Sequence, residues 1–178
     1  MQFFQTFGSF TVVVYNFTGV FLYQIPTMQI REVEEKDLPQ IIKMWSEDMI
    51  GRNREAYQNP LPEAYFKAYE IIKADPNHEL VVLVDDNDEV LASLQLTFLQ
   101  YLTNIGGVKA LVENVIVRQD LHGKGMGKQL LEWAINCSKT RGAHTIQLTT
   151  NKTRPGTKTF YEKLGFHASH EGMKMSLI

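Results

Sequence analysis

From residue 28 onward, short apolar runs alternate with amphipathic stretches. Leu80-Val-Val-Leu-Val84 is an unbroken apolar run of strand length, and Val90 to Phe98 reads as a second strand. Asp85-Asp-Asn-Asp88 between them is turn chemistry. Residues Asn104 to Gly107 turn the second run into a third, Leu111 to Val117, and Thr145 to Asn151 forms a fourth. Helical spacing predicts Leu38–Trp45, with Asp37 as its N-cap and Pro39 in the first turn, where proline is tolerated. A second helix follows Pro60-Leu-Pro62, with Phe66, Tyr69 and Ile72 on its apolar face. A third runs from Lys128 through Ala134, and a fourth carries Phe160 and Tyr161. The succession βααβββαβαβ predicts an α/β (α+β) domain over residues 28–178, its mixed, mostly antiparallel sheet covered by helices on both faces.

Residues 1–27 do not share this pattern. They form an apolar, aromatic-rich extension without charge until Arg31, broken by Gln5, Thr6, Ser9, Thr11, Asn16, Thr18 and Gln24. The length would span a bilayer, since about 20 apolar residues suffice. No basic start and no small-residue cleavage site mark it as a secretory signal. Three readings stay open: a start upstream of a functional Met28, a membrane anchor, or an apolar arm packing on the domain or a partner. Pro26-Thr27 marks the boundary.

The most informative stretch is Val115-Ile-Val-Arg-Gln-Asp-Leu-His-Gly-Lys-Gly-Met-Gly127, leading into Lys128. It reads as strand, glycine-rich turn and helix. Gly123, Gly125 and Gly127 remove side chains from a turn whose N–H groups can face an anion, and the helix N-terminus adds its positive dipole end. Lys124 and Lys128 add charge, so a phosphate-bearing ligand is expected. A Walker A loop does not fit, because Gly127-Lys128 is followed by Gln129 and the earlier glycine's place is His122. The dinucleotide pattern fails too, its last glycine falling on Lys128 or Leu130.

His122-Gly-Lys-Gly-Met-Gly127 resembles the acetyl-CoA loop of the GCN5-related N-acetyltransferases (GNAT), Arg/Gln-x-x-Gly-x-Gly/Ala, with His122 departing at the first position. The likeness covers residues 28–178. Met28 to Gln40 resembles the family's opening, Leu111 to Val117 its fourth strand with Glu113, Thr145 to Asn151 its fifth strand, and Thr159 to Phe166 its Phe-Tyr-x-x-x-Gly-Phe signature. Leu-Thr-Thr-Asn-Lys-x-Arg before it resembles the branch with aminoalkylphosphonate N-acetyltransferases.

The resemblance implies acetyl-CoA as co-substrate, with the pantetheine arm pairing along Val115, Ile116 and Val117. The loop His122, Gly123, Lys124, Gly125, Met126, Gly127 and Lys128 would hold the pyrophosphate. The family's Asn seven residues before the tyrosine is replaced by Arg154, and Asn151 is the candidate cofactor contact in its stead. Tyr161 is the expected acid for the leaving thiolate; the other reading of Phe160 and Tyr161 is plain core packing. Glu113 is the candidate base, against a reading as a surface carboxylate. An alkylammonium with a pKa of about 10.4 is almost wholly protonated at pH 7. A base that frees the amine is worth about 10²–10⁴ in rate. The expected function is transfer of acetyl to a primary amine of a small molecule by direct attack; the alternative is a non-catalytic acyl-CoA-binding sensor or regulatory module.

Composition changes this picture little. The 178 residues are 44% hydrophobic with a net charge of −2, and Lys and Arg form no long run, so nucleic acid is not expected as a partner. One cysteine, Cys137, allows no internal disulfide, and a cytoplasmic setting with a buried structural thiol is expected. His167 and His170 lack a third ligand, and no metal is expected. Arg52 and Arg54 would suit an anionic acceptor such as a phosphonate; Glu47, Asp48 and Glu55 would suit a polyamine or aminoglycoside. A homodimer is left open.

Overall fold

The computed structural model describes residues 27–154 and 156–177, and in the first 26 residues the backbone of strands β1 (Gln5–Phe7), β2 (Thr11–Asn16) and β3 (Gly19–Gln24). The side chains of those 26 residues, and the choice among the three readings of that stretch, lie outside the described residues. β2 and β3 pair as a hairpin, while β1 pairs antiparallel with β4 (Met28–Glu32). Helices α1 (Leu38–Glu47) and α2 (Glu63–Ala74) follow, then β5 (His78–Val84) and β6 (Val90–Gln100). A four-residue corner, α3 (Thr103–Gly106), leads into β7 (Val108–Val117). Helix α4 (Met126–Thr140), β8 (Ala143–Leu148) and α5 (Thr157–Lys163) complete the order. The sheet runs β1-β4-β5-β6-β7-β8, antiparallel except for the parallel β7–β8 pair, so it is the mixed, mostly antiparallel sheet expected.

Strand alternation divides the core between the two faces. Val81, Leu83, Leu94, Leu96, Ala110 and Val112 pack with Leu130, Leu131, Trp133 and Ala134 of α4. Val82, Val84 and Val90 pack instead with Leu38, Ile41, Ile42 and Met44 of α1 and Tyr69 of α2. No helix among the described residues is long and apolar enough to cross a membrane.

Two local expectations are corrected. Asp37 does not cap α1 with its side chain. It is fully buried, accepts the Glu34 N–H at 2.8 Å, and pairs with the Arg31 guanidinium at 2.6 and 2.9 Å. Its carboxylate already closes the 3-10 turn that precedes the helix, so none is left for α1. The strand expected after α5 is not formed, and residues 166–177 carry neither helix nor strand. Met173, Met175 and Leu177 are 98%, 79% and 85% exposed, and a strand that buries no apolar face gains little from pairing.

Candidate active site

The site is built on an irregularity in β7. Ala110 and Val112 face α4, and strict alternation would place Ile116 on that face too. Ile116 instead packs with the α1 cluster, while Val115 and Val117 turn to the α4 side. One extra residue accounts for the switch: the pairing with β6 jumps from Gln95↔Glu113 to Ser93↔Ile116, and Asn114 takes a left-handed φ of 53°. On its other side β7 pairs with β8 only as far as Val112↔Leu148. Residues 113–117 therefore have no ladder partner on that edge among the described residues, which leaves room there for an extended ligand to pair with the backbone.

The glycine loop lies at the end of this open edge. Gly123 and Gly125 have φ of +76° and +89°, and nothing stands within 4 Å of where a Cβ would project from either. Gly125 is the N-cap of α4 and makes no side-chain cap hydrogen bond, so first-turn N–H groups from Met126 to Lys128 remain for an anion. A Cβ on Gly127 would lie 3.6 Å from both Phe160 Cζ and Val117 Cγ2, which brings α4 close to β7 and α5. His122 Nε2 hydrogen-bonds the Val117 carbonyl at 2.9 Å and ties the loop back to the strand. Met126 packs on the α4-side core; Lys124 is exposed, and Lys128 Nζ lies 3.5 Å from Glu132.

Tyr161 is half-buried beside Phe160 and Phe166, with ring centroids 5.2 and 5.9 Å away, and packs on the α4-side core, as Val115 and Val117 also do. Burial pushes its phenol pKa up, and the Arg154 charge pulls it back. Glu113 is exposed on the other face: it pairs with Gln95, whose neighbours Leu94 and Leu96 face α4, so both point to the α1–α2 side. Asn151 is engaged in its own turn, its side-chain oxygen accepting from the Thr153 N–H at 2.9 Å and hydroxyl at 2.8 Å. Burial pushes the Cys137 thiol up to about 11, as suits a structural thiol. His167 and His170 are exposed.

Some neighbours of the site carry no local sequence signal. Asn114 Nδ2 donates to Gln95 Oε1 at 3.1 Å, and Gln95 Nε2 and Thr97 Oγ1 lie 3.2 and 3.0 Å from His78 Nδ1, a polar strip beside Glu113. Arg154 forms a two-pronged ion pair with Asp48, 106 residues away in sequence.

An acyl-CoA suits these features. The open edge of β7 matches the amides of a pantetheine arm, the uncovered glycines and α4 N-terminus match a pyrophosphate, and the buried Gln129 Oε1 has no partner in the protein. Residues 39–166 match the acetyltransferase (GNAT) family, and the chain belongs to it. It is an acetyltransferase that takes its acetyl group from acetyl-CoA.

A solved structure described as a transcriptional regulator from Bacillus halodurans C-125 is 47% identical, with a TM-score of 0.82 over 84% of this chain and 99% of its own. The aminoalkylphosphonate N-acetyltransferase of Salmonella typhimurium is 27% identical over 148 residues, 82% of this chain and 89% of that protein. A predicted acetyltransferase from Clostridium acetobutylicum, solved with acetyl-CoA, shares the fold at 20% identity and a TM-score of 0.65, over 84% of this chain and 96% of its own.

Proposed function

We propose that residues 28–178 form the catalytic domain and transfer acetyl from acetyl-CoA to a primary amine of a small molecule by direct attack. The observation that carries the reading is the half of β7 that is unpaired on one side, running between the glycine loop and Tyr161 with Glu113 on its opposite face. The backbone of Val115 to Val117 holds the donor along that edge, and the Val115 N–H polarises the thioester carbonyl. The loop from His122 to Lys128 holds the pyrophosphate, through backbone N–H groups more than through lysine charge, and Asn151 shapes the turn beside it.

Glu113, directly or through a water, takes one proton from the ammonium, and the freed amine attacks the carbonyl carbon. As the C–S bond breaks, its electron pair stays on sulfur and Tyr161 supplies the proton. The nitrogen loses its second proton to restore the phenol, so the net reaction releases one proton. The acceptor enters from the α1–α2 side, past the exposed Arg52 and Arg54, which favours amines that carry an anionic group.

The test measures thiol release from acetyl-CoA over aminoalkylphosphonates, amino acids, polyamines and aminoglycosides. At least one amine gives turnover, and Glu113→Gln lowers kcat/KM most at neutral pH and less at high pH, where free amine accumulates. A loss uniform across pH removes Glu113 as the base. A second reading, an acyl-CoA-binding regulatory module, is favoured by the description of the Bacillus halodurans relative. Tight acetyl-CoA binding without thiol release from any amine is its outcome.

A further inference from the structure

The bulge in β7 lies at the head of the open edge, yet the strand itself does little to hold it. Asn114 takes a left-handed φ of 53°, a conformation that asparagine tolerates better than most residues but does not prefer. Asn114 is exposed, so packing does not fix it. On the β6 side the register jumps from Gln95↔Glu113 to Ser93↔Ile116, and Asn114 and Val115 fall between the two pairs. On the β8 side the pairing has already ended at Val112.

What reaches the bulge is a row of side chains that crosses three strands. Asn114 Nδ2 donates to Gln95 Oε1 of β6 at 3.1 Å. Gln95 Nε2 lies 3.2 Å from His78 Nδ1 of β5, and Thr97 Oγ1 lies 3.0 Å from the same nitrogen. Register puts the row on the α1–α2 face: Gln95 stands opposite Leu80, which packs with that cluster, and His78 stands opposite Thr97. The row has one polarity. An amide that accepts from Asn114 at its oxygen has only N–H groups left for His78, so Nδ1 accepts and the proton of the neutral ring is on Nε2. That nitrogen faces the Asp75 carboxylate at 3.6 Å, and the His78 backbone N–H donates to the Asp75 carbonyl at 3.0 Å. The row thus starts from a fixed point, the turn after α2, and ends at Asn114.

We propose that Gln95, oriented by His78 and Thr97, is a positioning residue: it holds Asn114 in its left-handed conformation and so aims the N–H of the next residue, Val115, at the thioester carbonyl. Its place opposite Glu113 puts the same side chain beside the base. This inference rests on the role given to the Val115 N–H in the reaction proposed above.

The experiment places Gln95→Met, which keeps the side chain's length and removes both of its hydrogen bonds, in the wild-type protein and in Asn114→Gly. It records kcat and the KM for acetyl-CoA with an amine that the wild type acetylates, and stability by urea titration. Gln95→Met is expected to lower kcat by about tenfold, because a donor displaced from the developing charge loses most of its value. The KM for acetyl-CoA should stay within twofold, since His122 ties the pyrophosphate loop to Val117 independently. Asn114→Gly should lose about threefold, because glycine permits the conformation without fixing it, and Gln95→Met should then take nothing further. Asn114→Ala, which has neither the amide nor an easy left-handed backbone, should fall at least as far as Gln95→Met. His78→Phe, which removes the acceptor at the far end of the row, should lose a few-fold.

Nitrogen-15 spectra of His78 read the row without turnover, and the Nδ1 resonance should move in Gln95→Met. An Nδ1 resonance indifferent to that change overturns the proposal, because the row would then not be formed in solution. Lost stability with unchanged kcat also overturns it and leaves the row as a strut. An equal tenfold loss in the Asn114→Gly background overturns it in favour of an action of Gln95 on Glu113 or the acceptor. A change confined to the KM for acetyl-CoA overturns it in favour of a cofactor contact. A wild-type protein that acetylates no amine sinks the transferase reading and this inference together; turnover there beside an indifferent Gln95→Met sinks the inference alone.

Discussion

The two halves of β7 are one strand put to two uses. Val108 to Val112 pairs on both sides, with β6 and with β8, and Ala110 and Val112 are almost wholly buried. Glu113 to Val117 is bulged, pairs with β6 alone, and leaves its other edge open. The first half closes its hydrogen bonds within the protein and supplies stability. The second withholds them, and a buried or half-buried backbone group without a partner is a standing demand for a ligand. A change in the open half should therefore appear in binding and rate, and a change in the paired half in the folding equilibrium.

The sharpest way to break that contrast is at the end of the open edge. Gly125→Val puts a branched side chain at a φ of +89° where the backbone must approach a phosphate. We expect acetyl-CoA binding to weaken by at least about 2 kcal/mol, roughly 30-fold, in a protein that remains folded, as calorimetry would show. Unchanged affinity would detach the loop from the cofactor.

Val112→Ala probes the paired half. It removes methyl groups from a side chain only 2% exposed and should cost about 1–2 kcal/mol of stability in urea titration. The kcat/KM of the folded fraction should stay within twofold. A matching loss of rate would mean that the two halves are not independent.

A smaller effect sharpens the comparison from the far end of the paired half. Ile105 lies just before β7, fully exposed, with a β-branched side chain at a φ of 57°. Asn tolerates that conformation better, so Ile105→Asn should raise stability by up to about 1 kcal/mol and leave turnover unaltered. Any fall in stability would show that the corner is held by something other than its own backbone.

How far the sequence revealed this molecule depended on how local each feature is. The glycine loop and α4 were legible because missing side chains at 123, 125 and 127 and a following amphipathic helix are written within a short stretch. The apolar runs of β5, β6 and β7 were legible for the same reason. The bulge was not: Glu113-Asn-Val115 carries no glycine, and only the register against Ser93 and Gln95 reveals the extra residue. Asp48 read as a carboxylate for a polyamine or aminoglycoside and Arg154 as the residue in the place of the family's Asn, because their partnership exists only once the chain has folded. Asp37 misled for the opposite reason. It has the right residue type at the right place for a helix cap, but Arg31 and the Glu34 N–H hold its carboxylate first.

The thiol of Cys137 has a practical consequence. With a pKa pushed up to about 11 and no other cysteine in the chain, only about one molecule in a thousand carries a protein thiolate at pH 8. A colorimetric disulfide reagent added to a working enzyme will therefore see released coenzyme A against almost no background from the protein. The same low thiolate fraction slows capture of acetyl groups from the donor, and mixed-disulfide formation with oxidised coenzyme A, at this sulfur.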